Sequence, residues 1–299
     1  MSPFRNDRGQ AAVLTVLSLA ALLGMAALVL DVGSWFREQR ATQSAADAAA
    51  LAGAQAIPGT PGTASLLASE YVGKNGGGAH TVTFSTGRIA NDTLTVEVER
   101  PAPGFFAKVF GIDSVQVGAK ATARTGTLAQ ARYAAPIGID RRHPLLSGSG
   151  CPCFGADTEL ELEKVGAGAF RFLNLDGSKG GTGTQDVENW ILRGFDGYMP
   201  LGWYGSNPGA KTSSNITSAM KVRIGDELLF PVYDSTVEQG ANFNYDVIGW
   251  VGFLVSDYVK VQGNNKKIEG QFVRVIWEGI QSTSGSPTNF GAQAIQLIE

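Results

Sequence analysis

The sequence predicts an α+β protein: a long N-terminal transmembrane helix, a module of helices on an antiparallel sheet, and then a mostly antiparallel β sandwich or barrel. Three observations lead to this prediction. Residues 11–30 carry no charge, residues 63–125 combine helical and alternating patterns, and the second half is rich in glycine. The chain has 39 glycines in 299 residues. This is about twice the usual share, which is typical of turn-rich β structure.

The first element is the uncharged run from Ala11 to Leu30. A helix of this length extends about 30 Å, the thickness of a bilayer hydrocarbon core. Thr15 and Ser18 are its polar residues, and both can bond back to the helix backbone. A cleaved secretory signal and a buried soluble helix are the alternatives. We favour an uncleaved anchor, because the run is longer than a signal core and because Trp35 and Phe36 suit the membrane interface.

The orientation of this helix depends on more than charge. Arg5 and Arg8 precede the run, and Arg37 and Arg40 follow it, so the positive-inside count is nearly level. The short N-terminus is easily left inside, and we expect a single-pass protein of the cytoplasmic membrane with the bulk of the chain outside. The inverted topology is the alternative.

Beyond the span, alanine dominates, and we expect the helix to continue to about Ile57, where Pro58 and Gly59 stop it. Small residues at helical spacing allow two backbones to approach closely. Such a face packs either on the protein's own sheet or on neighbouring subunits. The predicted helix-packing face consists of Ala41, Ala45, Ala48 and Ala52.

Three motifs around the span are characteristic of one family. They are RGQAA at 8–12, LDVG at 30–33 and QSAADAAALAGA at 43–54. With them the chain resembles TadG-like proteins of the Flp (tight adherence) pilus-assembly systems of bacteria, which are close to the TadE-like pseudopilins. The segment 105–124 is also similar to the corresponding later segment of that family. The resemblance implies a membrane-anchored, pilin-like component of pilus biogenesis.

One position departs from the pattern of related prepilins. These are cut after a glycine and carry a glutamate five residues beyond the cut. Gly9 is the candidate glycine, but Leu14 and Thr15 stand where the glutamate is expected. The resemblance therefore leaves processing after Gly9 open, and a cut there would keep the hydrophobic helix attached.

The patterns divide the chain into five expected regions. Alternating apolar residues at 81–85, 93–99 and 114–125, with a helix at 63–75, predict the pilin-like module. Later strands are expected at 159–164, 170–175, 227–233, 245–261 and 269–280, with a helix at 184–193. The regions are a cytoplasmic head (1–10), the transmembrane helix (11–30), the helix extension and module (31–126), a linker (127–150) and an exported β-rich domain (151–299).

The inventory of reactive side chains is small. Cys151 and Cys153 are the two cysteines, and they form a disulfide, remain free or intermolecular thiols, or, least favoured, contribute to a metal site. Asp140, His143 and Ser147 are ingredients of nucleophilic catalysis, but no GxSxG motif accompanies them. We expect no enzyme, no cofactor and no metal. A formal net charge of -3 without a clustered basic face argues against nucleic acid as a partner.

Aromatic residues are concentrated late in the chain, mostly as expected core. Trp203 and Tyr204, in a Gly/Pro-rich loop, are the best candidates for an exposed binding pair. The main hypothesis is a structural component of pilus assembly whose partners are the membrane and other pilins or pilus-assembly components. The alternative is an envelope-displayed binding or adhesion module for an unknown surface ligand.

Overall fold

A computed structural model describes residues 7–162, 169–177, 182–207, 214–239, 242–260, 266–283 and 288–298. The chain separates into two compact units. Unit 1 comprises Met1–Arg124 with Gln296–Glu299, and unit 2 comprises Thr125–Ile295. A long apolar helix followed mostly by strands confirms the predicted α+β class.

The N-terminal helix α1 runs without interruption over Asp7–Ala54. Its apolar part has a mean hydropathy of 2.6 and is not buried by the protein, so it is long and apolar enough to cross a membrane. From Asp31 onward, side chains of the same helix become buried. The helix ends close to the predicted stop, since Gln55 and Ala56 already form tight turn hydrogen bonds to Ala52 and Gly53.

Unit 1 packs α1 and a second helix, α2, on an antiparallel sheet. The sheet has the order β1-β2-β3, and β1 to β2 and β2 to β3 pair in continuous register. Alternation along β2 buries Leu94, Val96 and Val98, which meet the helices. The elements are α2 (Pro61–Lys74), β1 (Ala79–Ser85), β2 (Thr93–Pro103), a short 3-10 helix (Ala107–Phe110) and β3 (Ser114–Ala131).

Unit 2 begins within β3 and contains the remaining elements. The end of β3 pairs with β7 and β13, and β12 pairs with β14 in parallel. The elements are β4 (Ile137–Asp140), α3 (Pro144–Ser147), β5 (Asp157–Leu162), β6 (Ala169–Phe172), α4 (Thr184–Arg193), β7 (Met199–Pro200), β8 (Gly202–Gly205), α5 (Ser214–Val222), β9 (Glu227–Gln239), β10 (Asn242–Lys260), β11 (Lys266–Val273), β12 (Val275–Ile276), β13 (Gly279–Gln281) and β14 (Ala292–Leu297).

Six strands of unit 2 form a closed ring in the order β5-β6-β4-β9-β10-β11, because β11 pairs with both β5 and β10. The ring is mostly antiparallel, with parallel pairs β5–β6 and β4–β9. Helices α4 and α5 add Val187 and Ile216 to the core of this barrel. The other core members include Ile137, Ile139, Leu160, Phe230, Val251, Phe253, Ile268 and Phe272.

The structure differs from the sequence-based expectation between 127 and 150. Where the patterns suggested a linker, β3 continues to Ala131, β4 joins the barrel, and Ile137 and Ile139 are fully buried. A strand of four residues is too short to show a clear period, which explains the difference. Helix α5 and strand β14 were not expected from the sequence either.

Candidate functional site: the N-terminal helix

The first half of α1 presents apolar side chains outward on every side. Its large apolar residues between Val13 and Leu30 are 56 to 70% exposed. A soluble protein rarely leaves so large a contiguous apolar surface in contact with water. Thr15 donates a hydrogen bond to the carbonyl of Ala11 (2.9 Å), so its hydroxyl is satisfied within the helix. The segment therefore has the chemistry of a lipid-facing helix.

Asp31, one residue after this segment, is buried and fastens the helix to the tip of the β2–β3 hairpin. Its carboxylate accepts hydrogen bonds from the backbone N–H groups of Phe105 (2.8 Å), Phe106 (3.0 and 3.1 Å) and Ala107 (2.5 Å). These N–H groups begin the short 3-10 helix, so the carboxylate serves as its cap. A charged acceptor makes stronger hydrogen bonds than a neutral one. Asp31, the aspartate of the LDVG motif, thus joins helix α1 to the hairpin tip, and we call this set of hydrogen bonds the clasp.

Three further side chains continue this attachment at intervals of four residues. Trp35 donates through Nε1 to the carbonyl of Pro103 (3.2 Å), and Gln39 donates to the carbonyl of Gly118 (2.6 Å). Gln43 donates to the carbonyl of Lys120 (3.0 Å). Residues four apart lie on one face of a helix, so this face follows the edge of the hairpin. We refer to Asp31, Trp35, Gln39 and Gln43 as the polar ladder.

The polar ladder was not identified as a site from the sequence. Its spacing of four was visible there, but the partners are backbone groups about seventy to eighty residues further along, such as those 74 and 79 residues away. Backbone donors and acceptors are the same in every residue type and leave no trace in side-chain identity. A polar stripe on an otherwise alanine-rich helix was therefore the available signal.

The predicted alanine face is divided by the fold. Ala45 and Ala52 are buried within unit 1, Ala48 is half-buried and Ala41 is exposed. The close approach is tightest at Gly53, where a Cβ atom would lie 2.8 Å from Leu94 Cδ1 and 3.0 Å from the carbonyl oxygen of Ala64. Small residues here therefore serve contacts within the unit, and Ala41 is left on the outer side.

Residues 9–56 match the family model Tad, described as Flp pilus-assembly TadE/G-like. The N-terminal segment is TadE/G-like. The match confirms the resemblance over this segment and associates the chain with Flp pilus assembly. The matched family is structural rather than catalytic. No curated protein and no solved structure matches the chain. The TadE/G-like segment contains the apolar half of α1, the polar ladder and the alanine face.

Outside the TadE/G-like segment, the two predicted binding aromatics differ in exposure. Trp203 is 54% exposed, as expected for a binding aromatic. Tyr204 is 8% exposed, and its hydroxyl donates to the carbonyl of Pro200 (2.6 Å). The two side chains point to opposite faces of β8 because side chains alternate along a strand, so the expectation of two exposed aromatics was wrong for Tyr204.

The two cysteines lie at the start of the loop before β5. The structure joins Cys151 and Cys153 in a disulfide, and the N–H of Cys153 donates to the carbonyl of Leu145 (2.8 Å). Among the described residues, no group of three histidine, cysteine or acidic side chains could hold a metal ion.

His143 and Asp140 have structural surroundings. The N–H of Leu145 donates to His143 Nδ1 (3.2 Å), which requires a free lone pair there, and Nε2 lies 3.2 Å from the hydroxyl of Thr158. Burial lowers the pKa of His143. Burial raises the pKa of Asp140, but hydrogen bonds and charge from Arg142 outweigh it and hold this pKa below its usual value. The carboxylate of Asp140 accepts from Arg142, and the hydroxyl of Ser147 donates to the backbone carbonyl of His143 (3.3 Å) rather than to its ring.

Proposed function

We propose that the chain is a membrane-anchored, pseudopilin-like structural component of Flp (tight adherence) pilus assembly. Its helix α1 crosses the cytoplasmic membrane once, with the short N-terminus inside and the remaining chain outside. The observation that carries this proposal is one continuous helix with two chemistries: an apolar half exposed on all sides, and a half fastened into unit 1 by the polar ladder. Both halves lie in the TadE/G-like segment.

The arrangement suits a mechanical role. The polar ladder begins at Asp31, directly after the apolar run that ends at Leu30. Force or movement applied to the membrane-spanning half would thus be passed to the sheet of unit 1 without a flexible joint. Enzymes need converging reactive groups, whereas a scaffold needs continuity of this kind.

The outer side of α1 is the proposed contact face for other pilins or pilus-assembly components. Gly33, Arg37, Ala41 and Ser44 are exposed and recur at intervals of three or four residues. Glycine, alanine and serine at these positions permit close approach of a second helix. Ala45 and Ala49 are fully buried in unit 1, so they are unsuited to lateral contacts.

Photo-crosslinking in cells that assemble the pilus tests the contact face. A photoreactive residue at Ala41 is expected to capture pilin-family subunits, identified by mass spectrometry. Leu66 on α2, which is 73% exposed, provides the matched position outside the contact face. Equal capture at both positions, or normal pili after deletion of the gene, would refute the assembly role.

The orientation has its own test. Alkaline phosphatase fused after the C-terminus is active only when exported, and we expect full activity. The inverted topology would be established if the alkaline phosphatase fusion is inactive and a second fusion, with a reporter that is active only in the cytoplasm, is active.

A second candidate function is an envelope-displayed binding module. It is favoured by one observation, the exposed indole of Trp203, which lies on β8 opposite Asp246 of β10. Asp246, Gly202 and Arg141 are among the residues that line a shallow groove of about 480 Å³. Trp203 is not among the residues that line this groove, but its neighbours in the chain, Leu201 and Gly202, are. An exposed aromatic ring next to a groove with charged residues is suited to a polar ligand such as a carbohydrate. If Trp203→Ala abolished adhesion of cells whose pili are normal, the binding module would be the better description.

A further inference from the structure

The tip of the β2–β3 hairpin exposes an unusual number of apolar side chains. It spans residues 104–113 and is closed by a hydrogen bond from the N–H of Gly104 to the carbonyl of Asp113 (2.9 Å). Val109 and Phe110 are 83% and 85% exposed, more than any other large apolar residues in the described part of the chain. The other exposed apolar members of this tip are Phe105, Phe106 and Ile112.

The tip is held in a fixed position against α1. Asp31 binds three successive N–H groups of the tip, and Trp35 binds the carbonyl of Pro103 at its base. Within the tip, the N–H of Ile112 donates to the carbonyl of Ala107 (3.1 Å). The exposed apolar side chains therefore stand on a small ordered scaffold rather than on a free loop.

The apolar surface of the tip continues into that of the membrane span. Val29 and Leu30, the last residues of the uncharged run, line a groove of about 470 Å³ together with Phe105 and Phe106. Because Asp31 follows Leu30 directly, the clasp lies at the level where the apolar run ends. Side chains attached at this level are within a few ångströms of the lipid headgroups.

The charged residues around the tip are also those expected of a surface that contacts lipid headgroups. Arg37 lines the groove, Arg40 follows one turn later, and Lys108 lies within the tip, all exposed. Asp113 is the acidic residue at the end of the tip. Aromatic and aliphatic side chains rimmed by lysine and arginine are the composition that binds the headgroup region of membranes with anionic lipids.

We propose that the hairpin tip, residues 104–113, is a second membrane contact that inserts Val109, Phe110 and neighbouring apolar side chains into the leaflet in which the span ends. Asp31 is its positioning residue, since it sets the height of the tip relative to the span. The tip would thereby fix the tilt and rotation of unit 1 on the membrane surface. This inference rests on the proposed membrane anchoring of α1.

The test measures lipid contact in the full chain, reconstituted with one copy per nanodisc of phosphatidylethanolamine and phosphatidylglycerol. Single cysteines carrying an environment-sensitive fluorophore are introduced in a background of Cys151→Ser and Cys153→Ser. Val109→Cys and Phe110→Cys each report on the tip, and their exposure makes both substitutions harmless to the core. Thr86→Cys, exposed beyond the opposite end of the β1–β2 pairing, is the control.

A nitroxide near the headgroup end of the lipid chains is expected to quench the label at 109 or 110 about threefold more than the label at 86, since interfacial side chains reach only about 5–10 Å deep. A nitroxide near the terminal methyl is expected to quench it less. Asp31→Asn, which leaves one acceptor oxygen in place of two, is expected to reduce the quenching at 109.

Two results would overturn the proposal. In the first, the labels at 109 and 110 are as exposed to water as the label at 86. In the second, these labels are shielded from water but are not quenched by the lipid nitroxides, which indicates contact with a protein partner. Leu22→Cys, in the middle of the span, distinguishes these from failure of the anchor. If Leu22→Cys is quenched from the chain ends and 109 is not, the anchor stands and the tip inference is wrong. If Leu22→Cys is unquenched, the proposed function fails.

Discussion

The cores of the two units are built from side chains of opposite size. In unit 1, α1 and α2 contribute mainly alanine to the packing against β2, with Ala46, Ala49 and Ala64 all fully buried. The barrel of unit 2 is filled with large rings. Phe230 stacks on Phe253 at 5.1 Å, and Phe253 meets Phe272 edge to face at 5.3 Å. Unit 1 gains stability from close backbone approach, and unit 2 gains it from the burial of large apolar surfaces.

The two kinds of core place different demands on the sequence. A helix packed through alanine and Gly53 leaves no room for larger residues, so its pattern of small residues is constrained position by position. A barrel interior accepts many apolar combinations of similar total volume. The residues that match the family model, 9–56, include this alanine-rich helix.

The largest effect is expected from removal of a ring in the barrel. Phe253→Ala leaves a cavity in a close-packed core and should destabilise unit 2 by about 3–5 kcal/mol. Hydrogen exchange of the full chain in detergent, resolved by peptide, measures this as lost protection in β9 and β10. Trp203→Ala, at a side chain 54% exposed, is the matched control and should leave protection nearly unchanged. An unaltered exchange profile for Phe253→Ala would contradict the barrel packing.

The opposite substitution should break unit 1. Ala49→Leu adds three carbons where α1 is fully buried, and overpacking of this kind costs about 1–3 kcal/mol. Peptides of α2 and β2 should lose protection while those of the barrel keep it. Gln55→Leu introduces the same side chain at an exposed position and serves as control. If both variants exchange alike, unit 1 does not depend on small residues.

The smallest expected effect is a loss of stability at acidic pH, which should differ between the two units. Burial lowers the pKa of His143 in unit 2 below its value in the unfolded chain, so the folded state favours the neutral ring. This contribution is complete above the unfolded pKa of about 6.5 and is lost as pH falls through the lowered pKa. In unit 1, burial raises the pKa of Asp92, but hydrogen bonds from the N–H groups of Arg88, Gly87 and Ile89 outweigh it and hold this pKa below its usual value.

Between pH 7.5 and 5.5, therefore, unit 2 should lose protection and unit 1 should not. His143→Asn can still accept from the N–H of Leu145 but does not titrate in this range, so it should abolish the pH dependence. A pH dependence that persists in His143→Asn would assign the effect to another group.

Local patterns predicted much of the fold. The helix α4 has the predicted bounds of 184–193, and β2 and β10 lie where alternating apolar residues indicated strands. Short elements were less accessible, since β4 has four residues and all of them are buried, which removes the alternation. Of the candidate site, the alanine-rich helix was predicted, whereas the function of Asp31 as a clasp was not.

The sequence by itself determined the apolar run that is long enough to cross a membrane, the TadE/G-like helix and the kinds of side chain available at each position. These follow from spacing along one chain, because helices repeat every 3.6 residues and strands every two. Only the tertiary structure decided which alanines are buried, that Tyr204 faces inward, that six strands close into a barrel, and that Asp31 meets the hairpin tip. Those outcomes depend on contacts between distant segments, and the backbone groups that make many of them are the same in every residue.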